Sequence, residues 1–219
     1  MKVIDFSKQN TIINQYIAEL RDVEYQQNRV LFRNNIERIG ELMAYEMSKT
    51  FDYSTKNVQT PLAMAQASTP DDDIVVATVF RAGLPLHQGF LKIFDKAGNA
   101  FVSAYRYYTD KECSEVGIKI EYLATPDLNG KTLILVDPML ATGGSMELAY
   151  KAFITKGQPR RLIFASVIAS QQGVKYLQKA FPGNEVELYT AAIDPELNEH
   201  KYIVPGLGDA GDLCYGEKL

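Results

Sequence analysis

The chain has 219 residues, 46% hydrophobic and 23% charged, with a net charge of −4. That length predicts one domain, residues 1–219, able to bury roughly 70% of its unfolded surface, and the apolar content excludes a disordered chain. The acidic balance argues against nucleic acid as the main partner, two cysteines (Cys113, Cys214) against a disulfide framework, and two histidines (His87, His200) against a His-rich zinc site.

No apolar run approaches the ~20 residues a membrane span needs. The N-terminus, MKVIDFSKQN, lacks the apolar segment of a signal peptide. A cytoplasmic protein is therefore expected.

In chain order, a short helix is predicted around Ile12 to Leu20 and a longer one from Glu24 to Lys49. In the second, Phe32, Ile36, Ile39, Met43 and Met47 recur at steps of three and four and form one apolar stripe. This front section, about residues 1–50, reads as a helical appendage that packs on a body or on a partner subunit. The rhythm then changes. Ile74–Phe80 (IVVATVF) is a β-branched run read as a buried strand, followed by a helix from Gly83 to Lys96. Ala100–Tyr107 and Gly117–Leu123 are extended and flank a polar loop, Thr109 to Glu115, giving an arm over about residues 100–125. Strands follow at Lys131–Val136, Leu162–Ile168 and Glu185–Ala191, separated by helices at Met146–Thr155 and Val174–Phe181. Apolar strands alternating with helices predict an α/β fold, an open, mostly parallel, twisted sheet covered by helices on both faces. Ligands of such sheets bind beyond the carboxyl ends of the strands.

The strand Lys131–Val136 runs into Asp137-Pro138-Met139-Leu140-Ala141-Thr142-Gly143-Gly144-Ser145, and a helix follows. Asp137 is placed to accept hydrogen bonds from ligand hydroxyls. Gly143 and Gly144 permit a tight turn, and successive N–H groups at a helix start cradle an anion. The residues read as a phosphate on the N–H groups and a sugar diol on Asp137. The plainer alternative is a strand–turn–helix capped by Thr142 or Ser145. No Lys follows the glycines, so this is not the ATP-binding P-loop.

VDPMLATGGS resembles the ribose-phosphate loop of the uracil phosphoribosyltransferases, which share its Asp-Pro start. The Arg81-Ala82-Gly83-Leu84 quartet, at another strand end, resembles the same family's diphosphate loop. Arg81 by itself is a good oxyanion clamp, although a surface ion pair with a carboxylate is the commoner fate of a single arginine. Arg106, in SAYRYY, stands where the family has an arginine before a flap, whose tip would be Thr109–Glu115. Without that correspondence it would read as structural.

The C-terminal stretch, about residues 200–216, reads YIVPGLGDAGD from Tyr202 to Asp212. Its glycines can present backbone N–H and C=O groups to the edge of a flat pyrimidine, and it resembles the family's uracil loop. The resemblance implies uracil contacts from Ile203, Gly208, Asp209 and Ala210, with Asp209 also serving the phosphoribosyl substrate. It further implies that Arg81, Arg106, Asp137 and Asp209 form the catalytic set, and that residues Asp137 to Ser145 hold 5-phosphoribosyl 1-diphosphate. Mg²⁺ is implied as cofactor, carried through substrate oxygens rather than by protein ligands. A homodimer or higher oligomer is implied, with GTP as a candidate effector and no membrane or nucleic-acid partner.

The implied reaction is transfer of the 5-phosphoribosyl group to uracil, giving UMP and diphosphate. Two other functions compete: a non-catalytic sensor of phosphoribosyl diphosphate or a nucleotide, and a transferase for another nucleobase. Their motive is a departure from the family pattern. After Asp212 the family continues with Arg, an aromatic residue, Gly and Thr, whereas this chain has Leu213, Cys214, Tyr215, Gly216 and Glu217. Elsewhere, His87 is read as structural, Cys214 as lacking a His partner, and Asp71-Asp72-Asp73 as a solvated loop rather than a metal cluster.

Overall fold

The computed structural model describes residues 1–108, 116–183 and 185–217. The chain opens with β1 (Lys2–Asp5), α1 (Ile12–Arg21) and α2 (Arg29–Ser48), then a hairpin of β2 (Tyr53–Gln59) and β3 (Met64–Pro70). The body follows as β4 (Ile74–Val79), α3 (Leu84–Ile93), β5 (Gly98–Tyr108), β6 (Val116–Ala124), β7 (Thr132–Val136) and the two-residue β8 (Met139–Leu140). It continues through α4 (Gly144–Phe153), β9 (Arg161–Ser170), α5 (Gln171–Ala180), β10 (Val186–Asp194), the short pair β11 (Glu196–Leu197) and β12 (Ile203–Val204), and α6 (Ala210–Tyr215).

The main sheet has the order β1-β10-β9-β7-β4-β5-β6, with β8 pairing β9. Only β5 and β6 pair antiparallel; every other ladder in it is parallel. Along β4, β7 and the first half of β9 the side chains alternate between two cores. Ile74 and Val76, Ile134 and Val136, and Ile163 and Ala165 face Phe32, Ile36, Ile39 and Met43 of α2 and Leu86 and Phe90 of α3. Val75 and Ala77, Leu133 and Leu135, and Leu162 and Phe164 face Met146, Ala149 and Phe153 of α4 and Val174 and Leu177 of α5. Strands covered on both sides read as unbroken apolar runs, which is why the four body strands were visible in the sequence.

The front section packs on the body as one of its covering layers. Its stripe residues Phe32, Ile36, Ile39, Met43 and Met47 are fully buried, each worth about 1.5–3 kcal/mol of apolar burial. Gly40, the lone glycine of α2, marks the crossing with α3. A Cβ there would lie 2.7 Å from the Leu86 carbonyl, and one at Gly89 would lie 2.1 Å from the Glu37 carbonyl. The two backbones can approach this closely only because both residues lack side chains.

The hairpin of β2 and β3, which the sequence reading did not anticipate, is almost wholly exposed. The polar loop Thr109–Glu115, with Cys113, lies outside the described residues. The arm does exist as the antiparallel β5–β6 pair, with Arg106 opposite Ile118 in register.

Registration of the parallel strands sets up the site. Thr78 of β4 pairs with Val136 of β7, and Val136 with Ala165 of β9. The segments beginning at Phe80 and Asp137 therefore leave neighbouring strands at the same rim.

Candidate active site

Three chain segments, after β4, after β7 and in the C-terminal stretch, meet at the carboxyl rim of the sheet. Arg81, Ala82, Asp137, Met139, Ala141, Ser145, Gly208, Asp209, Ala210 and Gly211 line one cavity of about 360 Å³. A smaller cavity of about 50 Å³ adjoins it through Met139, Ala141 and Ser145 and is completed by Leu140, Thr142, Gly143 and Met146.

The loop after β7 walls that smaller cavity and is fixed from outside it. The Pro138 carbonyl accepts from Val167 and Ile168, and β8 adds to the edge of β9 beyond β7. Ser170 Oγ donates to the Ala141 carbonyl at 2.6 Å. A trans peptide points its N–H opposite its C=O, so this bond turns the Thr142 N–H away from Ser170. Gly143 then takes φ +84°, and a Cβ there would stand 2.7 Å from Tyr176 Cδ1. The helix α4 starts with no side-chain cap. Neither Thr142 nor Ser145 caps the helix, and the positive end of its dipole lies beside the smaller cavity.

Asp137 sits at the end of β7 with its carboxylate Oδ1 accepting one bond, from the Met139 N–H at 3.2 Å. Burial pushes its pKa from 3.8 up to about 7, and that single amide only partly offsets the loss of water. Hydroxyl donors from a ligand would supply what solvent no longer does.

Arg81 follows β4, across a cis peptide bond from Phe80. Its Nη2 donates to Asp212 Oδ1 at 2.7 Å, and its Nε is buried without a hydrogen-bond partner. Phe80 stacks on Phe101 and Tyr122, ring centroids 5.4 and 5.9 Å away, and so braces the loop against the β-arm.

The C-terminal loop is held from the front section. Arg21 grips Asp194 through both carboxylate oxygens, at 2.7 and 2.8 Å, and also donates to the Gly206 carbonyl at 3.0 Å. Asp194 accepts the Gly206 N–H at 2.8 Å, and Gln26 Nε2 donates to the Leu207 carbonyl at 2.8 Å. Asp209 caps α6 by accepting from the Asp212 N–H at 3.0 Å.

The comparisons with known proteins agree with this geometry. A family profile described as "Uracil phosphoribosyltransferase" matches residues 7–217. The chain belongs to the uracil phosphoribosyltransferase family. It is 55% identical over 219 residues to the uracil phosphoribosyltransferase of Porphyromonas gingivalis, covering all of both chains. It is 37% identical over 210 residues to that of Thermococcus gammatolerans, covering 94% of this chain and 90% of the relative. Among solved structures, the AQ2163 protein of Aquifex aeolicus superposes with a TM-score of 0.84 at 28% identity, covering 98% of each chain. The hypoxanthine-guanine phosphoribosyltransferase of L. donovani, with a TM-score of 0.51 at 11% identity over 76% of this chain and 81% of its own, shares the fold alone.

Most of the family positions expected from the sequence converge at the rim. Arg81, Asp137, Met139, Ala141, Ser145, Gly208, Asp209 and Ala210 line the large cavity, and Leu140, Thr142 and Gly143 the small one. Gly144 opens α4 and Pro138 is buried beneath the loop. Ile203 is 3% exposed, pairs with Leu197, and supports the C-terminal loop rather than lining the cavity. The backbone of Arg106 lies in β5, and its side chain is outside the described residues.

Beside Val79 and Phe80, two lining residues of the C-terminal stretch were not among the expected site residues, Lys201 and Tyr202. They follow a turn in which Asn198 Oδ1 accepts from the His200 and Tyr202 N–H groups, and Lys201 takes φ +66°. An asparagine four residues before a Tyr-Ile-Val-Pro run was the available signal.

The departures after Asp212 stand apart from the large cavity. Leu213 and Glu217 line a separate cavity of about 390 Å³ that shares only Gly208 and Asp209 with it. Arg29 lines that second cavity, and Arg33 Nη1 donates to the Cys214 carbonyl at 2.6 Å while lying over the Tyr215 ring. Helix α2 thus supplies positive charge beside α6 where residue 213 does not. Burial pushes the Cys214 thiol up to about 12, which removes it as a nucleophile. His87 is buried with Nε2 3.2 Å from the Val76 carbonyl, and burial lowers its pKa, so it is a neutral core residue. Asp71 pairs with Lys56, Asp72 with Arg160 and Thr132, and Asp73 with Lys131. No group of three metal-ligating side chains occurs among the described residues.

Proposed function

We propose that this protein transfers the 5-phosphoribosyl group of 5-phosphoribosyl 1-diphosphate to N1 of uracil, giving UMP and diphosphate. The observation that carries the residue roles is the single cavity lined by Arg81, Asp137, Ser145 and Asp209, with the phosphate-sized niche of residues 139–146 at its side. The 5-phosphate sits on the amides and hydroxyls of Ala141 to Ser145. Asp137 accepts from the ribose hydroxyls. Arg81 takes the diphosphate, and Arg106 is assigned to it by its family position. Gly208, Asp209 and Ala210 offer backbone groups to the uracil edge, and Ile203 backs them. A site that pairs every polar atom of one base leaves groups of another base buried and unpaired, which gives base choice.

Departure of diphosphate develops positive charge at the anomeric carbon. The C1–O bond breaks, the C1–N1 bond forms, and the N1 proton leaves to water or to a phosphate oxygen. Alignment of the two substrates and stabilisation of the leaving charge are what these loops supply. Among the described residues, Asp137 and Asp209 are the carboxylates lining the cavity. Two separated carboxylates fit an ion completed by substrate oxygens and water rather than a protein-built cage, as Mg²⁺ prefers. Bound there, Mg²⁺ would neutralise charge on the diphosphate. Asp209 orients that ion's shell or a water.

The β2–β3 hairpin favours a homodimer or larger assembly. Tyr53, Val58, Leu62 and Met64 are 47, 44, 96 and 60% exposed, and an isolated two-stranded hairpin is marginal in water. A second copy of the chain covers it. No described helix is long and apolar enough to cross a membrane; the protein is assigned to the cytoplasm with its substrates. Any effect of GTP is read directly by adding it to the assay.

The test is conversion of isotopically labelled uracil to UMP in the presence of Mg²⁺ and 5-phosphoribosyl 1-diphosphate. Arg81→Ala and Asp137→Asn are expected to abolish most of it. Full activity in both variants overturns the residue assignment, and no UMP from the parent protein at any Mg²⁺ concentration overturns the activity. Tight binding of 5-phosphoribosyl 1-diphosphate without turnover would identify a sensor instead.

A further inference from the structure

We propose that Asp212 is a positioning residue that sets the Arg81 guanidinium for the diphosphate and ties the diphosphate loop to the uracil loop. This rests on the reading that Arg81 receives the diphosphate. The two residues are 131 positions apart, one after β4 and one in α6, yet Nη2 of Arg81 lies 2.7 Å from Asp212 Oδ1. Arg81 lines the catalytic cavity; Asp212 does not, and borders the neighbouring one instead. The carboxylate therefore holds the guanidinium from outside the substrate space. Nε of Arg81 is buried and unpartnered, so Asp212 is the hydrogen-bond partner that the described residues give its fork. A guanidinium binds phosphate through two coplanar N–H groups, and its orientation matters as much as its charge.

Asp212 is itself held in place. Its N–H donates to Asp209 Oδ1 at 3.0 Å, and its carbonyl accepts from the Gly216 N–H at 2.8 Å. Arg33 anchors the same short helix through the Cys214 carbonyl. A line of bonded groups thus runs from the diphosphate clamp, Arg81, through Asp212 to Asp209 in the uracil loop. A Cβ at Gly211 would come within 3.8 Å of the Ala82 Cβ, so the two loops also lie side by side. Movement of either loop on binding its substrate is transmitted to the other through this ion pair.

The sign of the effect separates this proposal from its rivals. A carboxylate near a polyanionic substrate repels it, so charge alone predicts that Asp212→Asn tightens binding. A carboxylate that merely parks Arg81 away from the substrate predicts the same. A positioning role predicts the reverse. In steady-state kinetics with both substrates varied, Asp212→Asn is expected to raise KM for 5-phosphoribosyl 1-diphosphate by about tenfold. Asp212→Glu should recover part of that loss. In an Arg81→Ala background, adding Asp212→Asn should change that KM less than twofold. Calorimetry should show that 5-phosphoribosyl 1-diphosphate alters uracil affinity in the parent protein and alters it less in Asp212→Asn. An unchanged or lowered KM in Asp212→Asn, with a raised KM in Arg81→Ala, overturns the proposal. A loss confined to melting temperature, with both KM values at the parent level, overturns it equally. If Arg81→Ala leaves KM unaffected, the diphosphate assignment itself fails and this inference falls with it. Should Asp212→Asn not fold, Asp212→Ser carries the same comparison.

Discussion

The ionisation of Asp137 sets a trade between stability and substrate affinity that pH can read. Its carboxyl titrates at about 7 in the folded protein against 3.8 without burial, chiefly because burial strips its water. Between these values the folded state holds a proton that the unfolded state has released. The cost of ionising Asp137 is therefore absent below about pH 4 and complete above about pH 7. A shift of about 3 units corresponds to at most about 4 kcal/mol, and partial exposure to the cavity reduces it. Asp137→Asn keeps an acceptor for the Met139 N–H and removes that cost. The ligand-free variant should melt higher than the parent at pH 8, by roughly 2–4 °C per kcal/mol for a domain of this size. Catalysis should move the other way. Ribose hydroxyls bound to an ionised carboxylate contribute about 2 kcal/mol more than to a neutral amide, or roughly thirtyfold in kcat/KM. A group titrating near 7 is about one-tenth ionised at pH 6 and nine-tenths at pH 8, so the parent's kcat/KM for 5-phosphoribosyl 1-diphosphate should rise roughly tenfold across that range. The substrate's own phosphate titrations affect parent and variant alike, and the ratio of their profiles isolates Asp137. Thermal melts and kcat/KM profiles from pH 5.5 to 8.5 supply both readings. A flat ratio, or a variant that melts lower than the parent at pH 8, refutes the reasoning.

Gly143→Ala forces a side chain into a left-handed φ and against the Tyr176 ring, which should cost about 1–2 kcal/mol in urea denaturation and raise KM for the phosphoribosyl substrate more than KM for uracil. Asp194→Ala removes the acid that Arg21 and the Gly206 N–H share; stability should fall on the order of 3 kcal/mol, with KM for uracil rising more than KM for the other substrate. Leu62→Ser with Met64→Ser, on the exposed hairpin, should lower the mass observed in sedimentation while leaving the far-ultraviolet circular dichroism of the body intact; an unchanged assembly would remove the hairpin from the interface.

Legibility in the sequence followed burial and locality. Strands such as Leu133–Val136, packed on both faces, could be read as apolar runs, and the helix stripe from Phe32 to Met47 could be read from its spacing. The β2–β3 hairpin escaped because it buries almost nothing and so carries no alternation. β1 escaped because Lys2–Asp5 is only four residues long. The loop from Asp137 to Ser145 was legible because strand, turn and helix start are contiguous there. The details that orient it were not: Ser170 on the Ala141 carbonyl and Tyr176 against Gly143 come from α5 and its approach. The ion pairs Arg81–Asp212 and Arg21–Asp194 join residues 131 and 173 positions apart. No local pattern announces either pair, and the sequence alone could not show that the front helices hold the C-terminal loop.

The most direct test of these segments acting as one grip is a crystal structure grown with UMP, diphosphate and Mg²⁺. The nucleotide phosphate should lie on the amides of residues 141–145, the ribose hydroxyls on Asp137, the base against Gly208 to Ala210, and the diphosphate within hydrogen-bond reach of Arg81. Density for the nucleotide elsewhere, or for its phosphate away from the loop after β7, would contradict the account.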